Sequence, residues 1–290
     1  MALKAPRIGI SSASFFHRMD IEDVVSDLGA HRIPIAELFL NTFSEYEEGF
    51  VSLLAERARA AGLTIYSVHP MGSQFEPQLF SIHHRQRADA LRIFERVLRA
   101  AKQLNASCYV MHGAAHLSGA AKNLQPDRIV PIFADLCAMA RGYGVTLTLE
   151  NVSWGMFRTP DYGLRLSDRL GDALHYTLDV KQAVRGGHTP ADYIEAVGEL
   201  IANLHLCDYR RAADGTWKWL LPGRGDCDFA GVFTRLAQKG YGGPAFVEVY
   251  SDSYGDLSEL YEGYRAFAGR FGSVSGVRPC NLAPAAAQEP

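Results

Sequence analysis

The stretch from residue 174 to residue 208, LHYTLDVKQAVRGGHTPADYIEAVGELIANLHLCD, decides the fold. It begins and ends with short apolar runs rich in branched and aromatic residues, LHYTLDV and IANLHLCD, which are typical of buried strands. Between them TPADYIEAVGEL is amphipathic, with Thr189 as helix N-cap and Pro190 at the first helical position. A helix between two buried strands indicates a parallel sheet.

The same alternation continues in both directions along the chain. Six further apolar runs are RIGISS near residue 8, IPIAELFL near 36, LTIYSVHP near 66, SCYVMHG near 109, VTLTLENV near 148 and PAFVEVY near 247. Amphipathic helical segments such as RADALRIFERVLRAAKQL and DFAGVFTRLAQKG separate them. Eight alternations in 290 residues predict an α/β fold, a single (β/α)8 TIM barrel, because eight parallel strands close such a barrel.

A doubly wound open sheet is the competing architecture. It usually carries a glycine-rich phosphate loop after its first strand, and SSASFFHRMD at residues 11–20 does not match GxGxxG. We therefore expect one catalytic barrel domain over residues 1–275. The segment 276–290 is rich in proline and alanine without periodicity, which predicts a flexible C-terminal tail.

Charge and composition exclude several classes of protein. The formal net charge is -3, so no general basic field favours nucleic acid. No apolar run approaches the length of a membrane-spanning helix, and MALKAPRIGI lacks the apolar stretch of a signal peptide. The five cysteines are scattered without a CxxC pair, which is typical of reduced thiols in a cytoplasmic protein. We expect neither a nucleic acid nor a membrane as partner.

Polar side chains occur at or near the ends of six of the apolar runs. They are His69, His112, Glu150, Asp179, His205 and Glu248. In a TIM barrel the active site lies at the C-terminal ends of the strands, so we expect these side chains to converge at one mouth. Taken singly, Glu248 could pair with a lysine or arginine, Asp179 could cap the next segment, and His205 could be a satisfied core histidine.

Taken together, the three carboxylates and one imidazole on the fifth to eighth runs indicate a metal site. Like charges in a small space repel, and a divalent cation removes that repulsion. Oxygen ligands with one imidazole suit Mn²⁺, Mg²⁺, Co²⁺ or Zn²⁺.

The motifs that carry these residues resemble a known family. TLEN contains Glu150, TLDV contains Asp179, NLHLCD contains His205 and FVEVY contains Glu248, and LPGRGDCDF resembles the family's PGxGxxDF loop. Over residues 7–270 the chain is similar to the xylose-isomerase-like TIM-barrel superfamily of sugar (phosphate) isomerases and epimerases, which also contains endonuclease IV.

The resemblance implies a divalent-metal-dependent enzyme that isomerises or epimerises a small keto-sugar or sugar phosphate. It implies one ion, Mn²⁺ first among the candidates, held by Glu150, Asp179, His205 and Glu248. Glu150 and Glu248 would be catalytic, moving a proton on opposite faces of the substrate beside a carbonyl. The resemblance implies substrate contacts at His69, His112, Gln182 and Arg211.

Two other activities fit the superfamily. A keto-polyol dehydratase, of the keto-inositol type, would use the same ligands and proton abstraction. An endonuclease IV-like nuclease is disfavoured, because Gln182 stands where many relatives have a histidine and DCD at residues 226–228 lacks the nuclease D-x-H pattern. The identity of the sugar, its phosphorylation, the native metal and the oligomeric state, a homo-oligomer included, stay open.

Overall fold

The computed structural model describes residues 6–115 and 125–272. Eight of its strands close one barrel: β1 Ile8–Ser11, β2 Ile35–Leu40, β3 Thr64–Pro70, β4 Cys108–Met111, β5 Thr146–Glu150, β6 His175–Asp179, β7 Ile201–Leu206 and β10 Ala245–Val247. All neighbours pair in parallel, and β1 closes the barrel by pairing with both β2 and β10. The predicted (β/α)8 barrel is confirmed. The predicted tail at 276–290 lies outside the described residues, so its boundary stays a prediction.

Helices pack around the barrel and connect its strands. They are α1 Ile21–Ala30, α2 Glu48–Ala60, α3 Glu76–Leu79, α4 His84–Gln103, α5 Pro126–Gly142, α6 Pro160–Leu170, α7 Val180–Arg185, α8 Pro190–Val197, α9 Phe229–Gln238 and α10 Leu257–Phe271. Thr189 is the N-cap of α8 and Pro190 lies in its first turn, as the sequence predicts, and Asp192 completes a capping box with Thr189. No helix in the described ranges is long and apolar enough to cross a membrane.

An antiparallel hairpin interrupts the connection between β7 and α9. Its strands are β8 Asp208–Arg211 and β9 Trp217–Leu220. The sequence analysis did not predict this hairpin. Asp214-Gly215, with Gly215 at φ 84°, is the turn signal that could have revealed the hairpin.

The Asp208 carboxylate holds both ends of this hairpin. Asp208 is fully buried and accepts hydrogen bonds from the backbone N–H groups of Tyr209, Gly223, Gly225 and Cys227, at 2.8–3.0 Å. One side chain therefore ties the start of β8 to the LPGRGDCDF segment that leads into α9.

The barrel interior changes from apolar to polar toward the C-terminal ends of the strands. A small apolar cluster consists of Ile35, Tyr66, Cys108, Ala202 and Phe246, from five different barrel strands. The Tyr66 hydroxyl donates to the Ala202 carbonyl across the barrel, from β3 to β7, at 2.9 Å. Glu37 lies two residues after Ile35 on the same side of β2, so it faces the barrel interior as well. There it contacts the polar side chains described in the next subsection.

Candidate metal centre and substrate cavity

Four side chains meet where β5, β6, β7 and β10 end. Glu150 and Asp179 are the last residues of β5 and β6, His205 is the penultimate residue of β7, and Glu248 directly follows β10. These strands are consecutive in the barrel, and Asp179 lies opposite His205 in the β6–β7 register. The backbone N–H of Glu248 donates to the Leu206 carbonyl at 3.0 Å, which fixes the height of Glu248 beside β7.

The Nδ1 atom of His205 lies at the centre of this cluster. It is 3.1 Å from Oε2 of Glu248, 3.4 Å from Oε1 of Glu150 and 3.8 Å from Oδ2 of Asp179. One ligand atom from each of the four residues lies within 4.8 Å of the others. All four side chains are buried.

Unpartnered buried atoms show that the cluster fits a cation. Oε2 of Glu150, Oδ2 of Asp179, Nδ1 of His205 and Oε2 of Glu248 make no hydrogen bond of acceptable geometry to any described residue, although Nδ1 of His205 lies 3.1 Å from Oε2 of Glu248 and Oε2 of Glu150 lies 3.0 Å from Nε2 of His112. Leaving four buried polar atoms unsatisfied is costly, and a divalent ion bound by three carboxylates and one imidazole would remove that cost. These side chains could therefore hold a metal ion.

Glu37 orients the histidine of the cluster, and the sequence analysis passed over it. Its fully buried carboxylate accepts from Ser11 Oγ at 3.0 Å, from Ser67 Oγ at 2.7 Å and from Asn203 Nδ2 at 2.9 Å. It also lies 3.0 Å from Nε2 of His205. With Nε2 engaged by a carboxylate, Nδ1 is the nitrogen left to face the other ligands, an arrangement typical of metal-binding histidines.

Reciprocal charge effects tie Glu37 to His205. Burial raises the pKa of Glu37. The nearby His205 and His69 imidazoles lower it by more than burial raises it, so the net pKa of Glu37 is well below the usual range. Burial lowers the pKa of His205, but the Glu248 and Glu37 carboxylates raise it well above the usual range. The sequence signal for Glu37 was present, because a lone carboxylate interrupts IPIAELFL as Glu248 interrupts PAFVEVY.

The two predicted catalytic carboxylates have opposite proton affinities. Burial raises the pKa of Glu248, and this effect outweighs the lowering by His205 and Lys181. Burial also raises the pKa of Glu150, but the His112 and His205 imidazoles overcome it and hold the pKa well below the usual value. Without a metal, Glu150 is therefore the carboxyl that ionises more readily, and Glu248 is the one that holds a proton more tightly.

The two predicted pocket histidines lie beside Glu150. Nε2 of His69 is 2.9 Å from Nε2 of His112, and Oε2 of Glu150 lies 3.6 Å and 3.0 Å from them. Glu76 fixes the backbone at His112, because its carboxylate accepts hydrogen bonds from the backbone N–H groups of His112 at 2.9 Å and Gly113 at 2.8 Å. The three side chains His69, His112 and Glu150 are a second group that could hold a cation.

Gln182, three residues after Asp179, has the oxygen of its side-chain amide already hydrogen-bonded. Its Oε1 accepts from the backbone N–H of Ser153 at 3.2 Å and from its hydroxyl at 3.0 Å. The Nε2 group is therefore the part of Gln182 left to contact a substrate. The backbone N–H of Gln182 donates to Asp179 Oδ1 at 2.6 Å, so Asp179 both caps α7 and faces the cluster.

A cavity of about 510 Å³ opens above the cluster. His69, His112, Glu150, Gln182 and Glu248 are among the residues that line it. Aromatic side chains also line it, namely Phe16, Phe39, Trp154 and Tyr250. Its volume and mixed lining suit a small polar ligand with apolar faces.

Arg211 is the predicted substrate contact that the structure does not bring to the cavity. It is exposed at the end of β8, its Nε donates to the Gly215 carbonyl at 3.4 Å, and its guanidinium lies 5.6 Å from the ring centre of Trp217. In contrast, Lys181 lines the cavity although the sequence analysis did not single it out. Burial lowers the pKa of Lys181, but Asp179 and Glu248 raise it above the usual value.

Solved structures with this architecture include proteins of several activities. A D-psicose 3-epimerase from Clostridium cellulolyticum, with D-tagatose, is 18% identical with a TM-score of 0.74, covering 92% of this chain and 98% of that chain. The IOLI protein with a zinc atom is 15% identical with a TM-score of 0.75 and the same coverage. The probable 3-DHS dehydratase AsbF from Bacillus anthracis is 13% identical with a TM-score of 0.71, covering 91% and 99%.

These identities establish a shared fold. No curated protein sequence matches this chain. The family model described as xylose isomerase-like TIM barrel matches residues 23–268, which is most of the 290-residue sequence. With its closed eight-stranded barrel, the chain therefore belongs to the xylose isomerase-like TIM barrel family.

Proposed function

We propose that this protein is a divalent-metal-dependent isomerase or epimerase of a small keto-sugar or sugar phosphate. The observation that carries the proposal is the convergence of Glu150, Asp179, His205 and Glu248, each with a buried atom that makes no hydrogen bond, beside a cavity that Glu150 and Glu248 line. Structures of the same fold include a D-psicose 3-epimerase and an L-ribulose 3-epimerase, which supports this choice among the chemistries of the family.

The four converging side chains would be the ligands of one divalent ion. Mn²⁺ is our first candidate, and Mg²⁺, Co²⁺ and Zn²⁺ suit the same mixture of oxygen and nitrogen donors. When bound, such an ion polarises a carbonyl group and so acidifies the neighbouring C–H bond. Glu37 would keep His205 in the orientation that binding requires.

Glu150 and Glu248 would move the proton. One carboxylate removes it from the carbon beside the carbonyl, and the other delivers a proton to the opposite face or to the neighbouring carbon. In the metal-free cluster Glu150 is the more readily ionised of the two carboxyls, and Glu248 holds a proton more tightly.

His69, His112 and Gln182 would orient the sugar. Their ring nitrogens and the Gln182 amide line the cavity, where hydroxyl groups of a sugar need donors and acceptors. A substrate contact by Arg211 would require the β8–β9 hairpin to bend toward the mouth, since Arg211 does not line the cavity.

Incorporation of solvent deuterium into ketoses and keto-polyols tests the proposal directly. Purified protein is stripped of metal, reloaded with each of the four candidate ions, and incubated in deuterium oxide with a panel of substrates. We expect metal-dependent exchange at the carbon beside the carbonyl. We also expect anomalous scattering to locate one metal ion per chain, bound by the four proposed ligands. A metal centred on other residues, or a panel without exchange, would contradict the proposal.

A keto-polyol dehydratase is the second candidate. The similarity to the probable 3-DHS dehydratase AsbF favours it, since that protein shares the fold over 91% of this chain. The same exchange experiment separates the two activities. An epimerase or isomerase returns a product of unchanged mass apart from deuterium, whereas a dehydratase releases water and leaves a conjugated product that absorbs in the ultraviolet.

A further inference from the structure

Lys181 is a cation in an unfavourable place. It is 2% exposed, and it lies in the first turn of α7 (Val180–Arg185). Burial disfavours an ammonium group, and the N-terminal end of a helix, where the peptide dipoles are positive, disfavours it again. A residue that breaks two local preferences is expected where function requires it.

The surroundings of Lys181 compensate its charge but leave its donors unused. Nζ lies 4.0 Å from Oδ2 of Asp179 and 3.9 Å from Oε1 of Glu248, which is too far for hydrogen bonds. It also lies 4.1 Å from the centre of the Tyr250 ring, which attracts the cation without accepting a conventional hydrogen bond. Since Lys181 lines the cavity, its N–H groups can meet a ligand there.

We propose that Lys181 is a catalytic residue that donates a hydrogen bond to the substrate oxygen on which negative charge develops. The proposal rests on the proposed function. When a carboxylate takes the proton from carbon, the C–H electron pair moves toward the carbonyl oxygen, and that oxygen becomes a stronger acceptor. Lys181 keeps its own proton throughout, and the electron pair returns when carbon is reprotonated.

The alternative role for Lys181 is to offset the charge of the carboxylates alone. The two roles predict different effects of removing the ammonium group. If Lys181 only offsets charge, its loss makes the cluster more negative, raises the affinity for metal and leaves the turnover of the loaded protein unchanged. If Lys181 contacts the substrate, its loss lowers turnover while the loaded protein still holds one metal ion.

The test compares Lys181→Met and Lys181→Gln with the wild type and with Lys102→Met as a matched control. Lys102 is an exposed lysine in the last turn of α4, which leads into the start of β4 and so lies at the other end of the barrel. Three quantities are measured for each protein: metal affinity by calorimetry, kcat and KM for deuterium exchange, and binding of glycolohydroxamate, a planar mimic of an enediolate.

We expect Lys181→Met to lower kcat on the order of 100-fold, as loss of one donor to a developing oxyanion does, with a smaller change in KM. Its metal content should stay at one equivalent, and glycolohydroxamate binding should weaken about tenfold or more while Lys102→Met matches the wild type. Lys181→Gln keeps a neutral donor and should retain an intermediate kcat.

A Lys181→Met protein within about threefold of wild-type kcat, with wild-type hydroxamate binding, would overturn the proposal. If Lys181→Met does not fold, the same result in Lys181→Gln would overturn it. A wild-type protein that exchanges no member of the substrate panel overturns the proposed function and this proposal together. That outcome is visible before any variant is made, so the two failures are distinguishable.

Discussion

Replacing Glu37 by glutamine should weaken metal binding without touching any proposed ligand. Glu37 accepts three hydrogen bonds from Ser11, Ser67 and Asn203 and lies 3.0 Å from Nε2 of His205. An amide has the same shape but only one accepting oxygen, so it cannot satisfy the three donors and hold the imidazole as well. His205 then loses the partner that keeps Nδ1 directed at the cluster.

The expected loss is 10- to 100-fold in metal affinity, equivalent to about 1.4–2.7 kcal/mol, which is typical when the carboxylate behind a ligating histidine is removed. Competition with a chromophoric chelator measures the affinity. Nitrogen-15 spectra of His205 should show a proton fixed on Nε2 in the wild type and exchange between tautomers in Glu37→Gln.

Ser67→Ala is the matched control, because it removes one donor to Glu37 and leaves the carboxylate facing His205. Its metal affinity should fall by less than about threefold, since losing one neutral hydroxyl donor to Glu37 costs far less than losing the charge of Glu37 itself. A folded Glu37→Gln protein with wild-type metal affinity and an unchanged His205 tautomer would refute this account of the site.

Three further outcomes follow from the site. Glu150→Gln and Glu248→Gln should each lower deuterium exchange by about 100-fold or more, and unchanged turnover in both would exclude the two-carboxylate mechanism. Burial raises the pKa of the Glu76 carboxyl to about 7, so the folded state holds that proton more tightly than the unfolded state. Its contribution to the free energy of unfolding is therefore complete below a pH of about 4.5 and is lost as the pH rises through about 7, by on the order of 3 kcal/mol. Denaturant titrations at several pH values should show this loss in the wild type and not in Glu76→Gln; parallel curves would contradict it. Zinc-loaded protein should not cleave an abasic DNA duplex, because Gln182 supplies no imidazole and its side-chain oxygen already accepts hydrogen bonds from Ser153. Cleavage that depends on His205 would place the chain in the nuclease branch of the family.

The fold was predictable because each barrel strand is short, apolar and bounded by an amphipathic helix. The burial of β1, β4 and β6 is complete along their length, and β4, Cys108–Met111, reads as a continuous apolar run. The same property made the strand-end residues visible, since Glu150 and Asp179 are polar residues at the end of such runs. Local sequence is therefore sufficient to predict the strands and the polar residues that end them.

The parts that sequence reasoning missed depend on contacts between distant strands. Glu37 lies in the middle of β2, and its role arises only because barrel closure brings His205 to it from 168 residues away. Lys181 follows Asp179 by two residues, but its importance depends on Glu248 and Tyr250, which lie in the segment after β10. The family resemblance implied a substrate contact at Arg211, and the structure has Arg211 exposed on the β8–β9 hairpin.

The attachment of the β8–β9 hairpin to Asp208 has a consequence for how this barrel can change during evolution. Because one carboxylate fixes both ends of the insertion, the residues between its strands, 212–216, can vary in length without displacing His205 or the start of α9. The hairpin is then a segment that can change in sequence and length while the proposed metal ligands keep their positions. Replacing residues 212–216 by a two-residue Asn-Gly turn should leave the thermal unfolding temperature and the metal affinity unchanged, and a loss of either would show that the hairpin is integral to the barrel.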